Sequence, residues 1–374
     1  MNQSMHSSAS DVKKKVRTGL KGIMTASVLL LAVACHKTKP VDDTDAIMPK
    51  GPKPAWGPTL TPQMQTVIEA FDTIAPIPIT ALTPQQARMQ PSAADAAMRV
   101  MRNYNIPTPP MNVDTMGKEI PVTGGQIHVR IYTPKTGKAS YPVVVYYHGG
   151  GWVIATIDTY NASAQALAEQ TDAIVVSVEY RKGPEFKFPA AHNDSYMAYK
   201  WAIKNATTFK GDSTRMAVAG ESAGGNLAVT VSMMARDSGV MKPKHIVSVY
   251  PVASNDLNTP SKITYANAKP LSTPALSWFL MYYLNTPAEG ALPWISLVNA
   301  NLSGLPPTTI IGAEIDPLQS EGKTLSDKLI AAGVTTSYKL YVGVTHEFFG
   351  MASVIPEAKQ AQALAASQLK NALK

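Results

Sequence analysis

From about residue 127 to the C terminus, short apolar runs alternate with segments of helical periodicity, and this alternation limits the folds open to the chain. Strands are expected at 127–132, 143–147, 173–180, 215–220, 246–250, 308–313 and 337–342. Helices are expected at 159–170, 191–206, 223–236, 318–332 and 357–373. VVVYY and AIVVSVEY are near-continuous apolar runs, the pattern of strands covered on both faces. The order predicts one α/β domain with a mostly parallel central sheet flanked by helices. Residues 255–295 break the alternation with Pro, Asn and the aromatic run SWFLMYYL. Residues 62–105 read as a helix pair, the second helix starting from a Thr83 cap, and Pro107–Pro110 close the segment. Segments 62–110 and 255–295 are expected to join as a helical cap over one edge of the sheet.

Two glycine-rich motifs follow strands. Gly220-Glu221-Ser222-Ala223-Gly224 stands between the strand RMAVA and the helix LAVTVSMMA. A G-x-S-x-G sequence alone is weak, but between a strand and a helix it reads as an elbow that holds a serine hydroxyl above the sheet. Glycines on both sides relieve crowding where strand meets helix. The helix start also points N–H groups toward charge that develops during acyl transfer. His148-Gly149-Gly150-Gly151-Trp152 directly follows VVVYY. Its bare backbone can approach a carbonyl oxygen and donate to an oxyanion.

With these motifs the chain resembles the bacterial hormone-sensitive-lipase-like carboxylesterases of α/β-hydrolase fold. The likeness extends to YRKGPEFKFPAAHND at 180–194 and SGLPPTTIIGAEIDPLQSEG at 303–322, and covers roughly residues 60–370. It implies that Gly150, Gly151 and Ala223 are the oxyanion donors. It also implies short- to medium-chain esters as substrates. Two residues depart from the family pattern: Glu221 stands where Asp is usual, and Glu347 follows a histidine where Gly is usual.

A serine nucleophile needs a base. Of the seven histidines, His6 and His36 lie near the N terminus, and His128 and His245 lie in or just before strands. His148 is read as orienting its glycine loop, and His192 opens a helix remote from the serine. His346, in the loop after the last strand, remains as the base. The acid should fall between serine and histidine in chain order, and Asp316 closes the strand TTIIGA at its carboxyl end. Glu314 is the competitor, read as facing away. Glu185, Asp194 and Glu221 are read as structural carboxylates that brace the glycine loop.

The N-terminal 34 residues read as a signal peptide: the basic stretch KKKVRTGLK precedes the 12-residue apolar run Ile23–Ala34, too short to span a bilayer. The sole cysteine, Cys35, follows immediately. LAVAC resembles a bacterial lipobox, which favours an acylated, membrane-anchored N terminus; an ordinary signal-peptidase site after Ala-Val-Ala is the alternative. Residues 35–60, rich in Pro, Lys and Asp, are expected to be a solvated tether, leaving 61–374 as the hydrolase domain.

Half of the formal net charge of +8 belongs to the leader, and the other basic residues are scattered, which argues against nucleic-acid binding. No HExxH pair, cysteine cluster, calcium loop or Walker sequence occurs, so neither a metal nor a nucleotide cofactor is expected. The expectation is therefore an exported serine esterase, anchored or else periplasmic or secreted, acting on small ester substrates. A polysaccharide acetyl-ester deacetylase or an amide hydrolase would use the same triad. A binding protein on this fold is disfavoured because the base histidine is present.

Overall fold

The computed structural model describes residues 43–374. The segment expected to be a signal peptide, Cys35 and the start of the expected tether lie outside the described residues. Eight strands form one sheet: β1 (Val113–Val122), β2 (Gly125–Pro134), β3 (Tyr141–Tyr147), β4 (Ile174–Glu179), β5 (Gly211–Glu221), β6 (Ile246–Val249), β7 (Thr308–Ile315) and β8 (Thr336–Thr345). Their order is β1-β2-β4-β3-β5-β6-β7-β8, antiparallel for the β1–β2 and β2–β4 pairs and parallel for the rest. Every residue of β3 is buried. Its side chains alternate between two cores, Val143, Val145 and Tyr147 on one face and Val144 and Tyr146 on the other.

Among the described residues ten α-helices accompany the sheet. Before it come α1 (Pro62–Ile74), α2 (Pro84–Met89) and α3 (Ala93–Asn103). Then follow α4 (Asn161–Thr171), α5 (Ala190–Asn205), α6 (Ala223–Asp237), α7 (Pro260–Thr264), α8 (Thr273–Tyr283), α9 (Gln319–Ala331) and α10 (Pro356–Ala372). Helices α4 and α10 cover the Val144 face through Leu167, Ala361 and Leu369. Helices α5, α6 and α9 cover the other through Ala198, Leu227 and Leu325.

The fold differs from the sequence reading in four places. Strand β1 was not anticipated because only Val113, Ile120 and Val122 of its ten residues are buried. An exposed edge strand carrying Gly117 and Pro121 shows no alternation to read. The single helix expected after Thr83 is two. Thr83 does cap α2 with a capping box to Gln86, but Pro91 stops that helix and Ser92 caps α3 with Asp95.

The tether reading fails from residue 43 onward. Ile47 and Leu60 are fully buried, and the Lys50 and Gly51 amides donate to the Glu69 carboxylate at 2.8 and 2.9 Å. Glu69 on α1 and the Tyr104 hydroxyl just after α3 satisfy the backbone that water was expected to satisfy. The cap is also narrower than expected on its N-terminal side. Helices α1 and α3 pack on each other and join the Val144-face core, through Val67 and Val100 among others. The segment between α1 and α3 is what meets α8: Trp278 Nε1 donates to the Leu82 carbonyl at 3.0 Å.

Candidate active site

Ser222 lies between β5 and α6 with φ 57° and ψ −118°, a conformation that non-glycine residues rarely adopt and that costs about 1–3 kcal/mol. Its amide donates to the Val249 carbonyl at 2.9 Å, which fixes the turn. Neighbouring backbone explains the flanking glycines. A Cβ on Gly220 would lie 2.2 Å from the Gly224 carbonyl oxygen, and one on Gly224 would lie 2.0 Å from that of Tyr147.

His346 follows β8 and reaches back to this turn. Its Nε2 is 2.9 Å from Ser222 Oγ, and its Nδ1 is 2.7 Å from Asp316 Oδ2. Asp316 is fully buried just beyond β7, and its second oxygen accepts from the Leu318 amide at 2.8 Å. The order Ser222–His346–Asp316 thus runs from cavity to interior. Burial by itself would lower the His346 pKa. The negative charge and hydrogen bond of Asp316 outweigh that, with smaller help from Glu347 and Glu221, and the net shift is upward from 6.5.

Glu314, two residues before Asp316, has a different job. The β7–β8 pairing shifts register between Ala313 and Ile315, and Glu314 accepts there from the Gly343 amide at 2.7 Å and the Thr59 hydroxyl at 3.1 Å. It stabilises a bulge in the strand pair that carries the histidine loop.

The glycine loop is held rigidly. His148 is buried, its ring stacks on Tyr180 at 4.2 Å, and its Nδ1 donates to the Gly149 carbonyl at 2.7 Å. Burial lowers its pKa to about 4, so it is neutral at physiological pH. The Tyr180 hydroxyl donates to the His148 carbonyl at 2.8 Å. Trp152 is buried and stacked on Tyr283 of α8 at 4.9 Å. Gly150 and Gly151 take φ of +97° and +58°, and a Cβ on Gly151 would lie 2.3 Å from the Phe279 ring, so α8 closes directly over this backbone. Ala223 is the first residue of α6, where amides lack partners within the helix.

Ser222, His346, Gly150 and Gly151 line one cavity of about 520 Å³. Most of its remaining wall is apolar, with Ile77, Ile79, Leu271, Leu276 and Leu280 among the lining residues. The ionisable cap residues on its wall are paired with one another or with the main domain. Arg88 pairs with Glu185 at 2.7 Å, Lys269 with Asp72 at 2.6 Å, and Lys262 with the buried Glu321. The Lys262–Glu321 pair was not foreseen. It holds the segment after β6, since Glu321 accepts from the Ala253 amide at 2.7 Å and Lys262 donates to the Asp256 carbonyl at 2.7 Å.

Besides pairing with Glu185, Arg88 donates to the Val153 carbonyl at 2.9 Å, just past the glycine loop. Asp194 pairs with Arg181 at 2.6 Å. Glu221 is buried beneath the elbow and accepts from the hydroxyls of Tyr146 and Tyr250. Burial raises its pKa to about 7 against the opposing hydrogen bonds of Ser163 and the two tyrosines. Glu347 lines the cavity next to His346 and accepts from Tyr160 at 2.6 Å. Burial raises its pKa despite the nearby imidazole. His192 bonds Tyr283 at 2.8 Å and Asn226 at 3.2 Å, away from the serine. His245 meets the Thr309 hydroxyl at 2.9 Å, and His128 pairs with Glu119 at 2.6 Å.

Several proteins similar to this chain are named esterases. A family model described as alpha/beta hydrolase fold matches residues 144–350. The carboxylesterase NlhH of Mycobacterium tuberculosis is 40% identical over 251 residues, 66% of this chain and 79% of that protein. The ethyl acetate hydrolase of Pseudomonas putida is 31% identical over 67% of this chain and 80% of its own length. Among solved structures, an esterase of Pyrobaculum calidifontis superposes with a TM-score of 0.74 at 34% identity, covering 84% of this chain and all of that one. A thermostable esterase of Pseudomonas putida gives a TM-score of 0.78 at 28% identity, over 85% and 98% of the two chains. The chain belongs to the hormone-sensitive-lipase-like branch of the α/β-hydrolase family and is a carboxylic ester hydrolase.

Proposed function

We propose that the chain hydrolyses short- to medium-chain carboxylic esters in two steps through an acyl-enzyme on Ser222. The observation that carries this reading is the 2.9 Å approach of His346 Nε2 to Ser222 Oγ at the wall of the cavity. Neutral His346 takes the hydroxyl proton as Oγ attacks the ester carbon. Asp316 accepts from the Nδ1 proton, fixing the tautomer and stabilising the imidazolium that forms. The amides of Gly150, Gly151 and Ala223 receive the developing oxyanion. His346 then returns its proton to the leaving alcohol. In the second step a water gives its proton to His346 as its oxygen attacks the acyl carbon, and Ser222 leaves with that proton restored.

Cavity size and lining support a compact, uncharged substrate. The walls are mainly apolar and the charges of the cap are internally paired, so a carboxylate on the substrate would lose water without gaining a partner. The name of the Pseudomonas putida relative, an ethyl acetate hydrolase, agrees with small acyl groups. The cap segments are proposed to limit acyl length.

A panel of neutral esters of graded acyl length, with acetylated sugars and amides alongside, tests this assignment. Highest kcat/KM on short and medium acyl chains is expected, with Ser222→Ala inactive throughout. A preference for acetylated polysaccharide or for amides would overturn the substrate assignment.

A further inference from the structure

Glu347 is unusual in place and conformation. It occupies the position after the base where the family resemblance expects glycine, and its backbone is left-handed at φ 71° and ψ 0°. Glycine takes that conformation without strain, whereas a glutamate there is disfavoured by its own Cβ. Its side chain has one direct partner on the glycine-loop side, the Tyr160 hydroxyl at 2.6 Å.

Tyr160 is buried just before α4, 187 positions away in sequence. Its ring lies 6.0 Å from that of His148. The hydroxyl fills the space where a side chain on Gly149 would stand, 2.1 Å from an ideal Cβ. The first glycine of the loop therefore admits this hydroxyl. Through it, the loop that carries His346 and the loop that carries the oxyanion donors touch a common group.

We propose that Glu347 is a positioning residue which, through Tyr160, couples the base loop to the glycine loop and fixes the distance between His346 and the oxyanion donors. The inference rests on the serine-esterase reading above. Both loops act on one tetrahedral centre, so relative displacement would weaken the transition state more than substrate binding.

Four variants test it, with kcat, KM and melting temperature measured on one short-chain ester. Glu347→Gly should lower kcat about tenfold, as loss of a buried hydrogen bond made to a single partner implies, with KM little changed. Its melting temperature should hold or rise, because glycine relieves the left-handed backbone. A purely structural residue would not raise stability while lowering turnover. Tyr160→Phe should lower kcat similarly, and the double variant should be no worse than either single one. Glu347→Gln retains an oxygen that accepts from Tyr160 and should restore most of the loss.

Unchanged kcat in Glu347→Gly, multiplying losses in the double variant, or a kcat loss that tracks a loss of melting temperature would each overturn the inference. Ser222→Ala serves as the separate control. Activity that survives it removes the serine reading itself, whereas activity abolished by it and indifferent to Glu347→Gly removes only the coupling.

Discussion

The two sides of the cavity are built by different means. On the edge that carries the proposed triad, each group stands just after a strand: the glycine loop after β3, Ser222 after β5, Asp316 after β7 and His346 after β8. Backbone hydrogen bonds and buried packing fix these positions, and Ser222, Asp316 and His346 are each no more than 5% exposed. The opposite wall comes from two stretches far apart in sequence, around 71–93 and 252–280, which meet through side chains such as Trp278 on the Leu82 carbonyl and Lys269 on Asp72. Rigid strand ends suit groups that must stay in line to a fraction of an ångström, while a wall of separate side chains can change shape without disturbing them. The edge should therefore set rate for every ester, and the cap should set preference among esters.

The sharpest way to break that division is at Asp316. Asp316→Asn should lower kcat on the order of 10⁴-fold on all esters alike, since the imidazole loses both its orienting partner and its counter-charge. Glu314→Gln, two residues away, should leave kcat largely intact and cost stability at the β7–β8 bulge. Equal losses at the two positions would mean the acid has been misassigned.

The same pair makes a pH prediction. Only neutral His346 can accept the serine proton, and its pKa in the folded protein is raised above 6.5. In wild-type enzyme kcat/KM should be full above that raised value and fall as pH drops through it. Removing the Asp316 charge should move this acid limb to lower pH. A limb that does not move would show that another group controls it.

A smaller and selective effect is expected from the cap. Leu276 of α8 lines the cavity. Leu276→Ala should change the ratio of kcat/KM between longer and shorter acyl chains by about tenfold, in favour of the longer, with the best substrate's kcat nearly unchanged. A uniform change across chain lengths would place Leu276 outside the acyl path and blur the division between edge and cap.

Much of the candidate site was legible because its residues sit in short contiguous patterns. VVVYY announces a doubly buried strand, and the following HGGGW and the strand-bounded GESAGG are local signals with local causes. Asp316 was reached from chain order and a strand end, and His346 by elimination among the seven histidines. The remainder depends on contacts between distant residues. Nothing near Tyr160 predicts Glu347 as its partner, and nothing near Lys262 predicts burial beside Glu321. The Pro-rich stretch from residue 43 to 60 resembles linker by composition, yet Glu69 and Tyr104 supply the hydrogen bonds that hold it down. Edge strand β1 is polar because one side faces solvent, so its pairing with β2 left no pattern to read. Leader and Cys35 lie outside the described residues, and their assignment stays with the sequence.

The central claim is that the reaction passes through an ester on Ser222. Mixing the enzyme with an activated ester whose acyl group is released slowly, quenching in acid and weighing the intact protein tests it directly. One acyl mass should be added per chain before steady state, carried on the peptide that contains Ser222, with an initial burst of alcohol of about one equivalent. The adduct should be absent in Ser222→Ala. Steady turnover with no adduct, or an adduct of normal yield on the Ser222→Ala protein, would contradict the account.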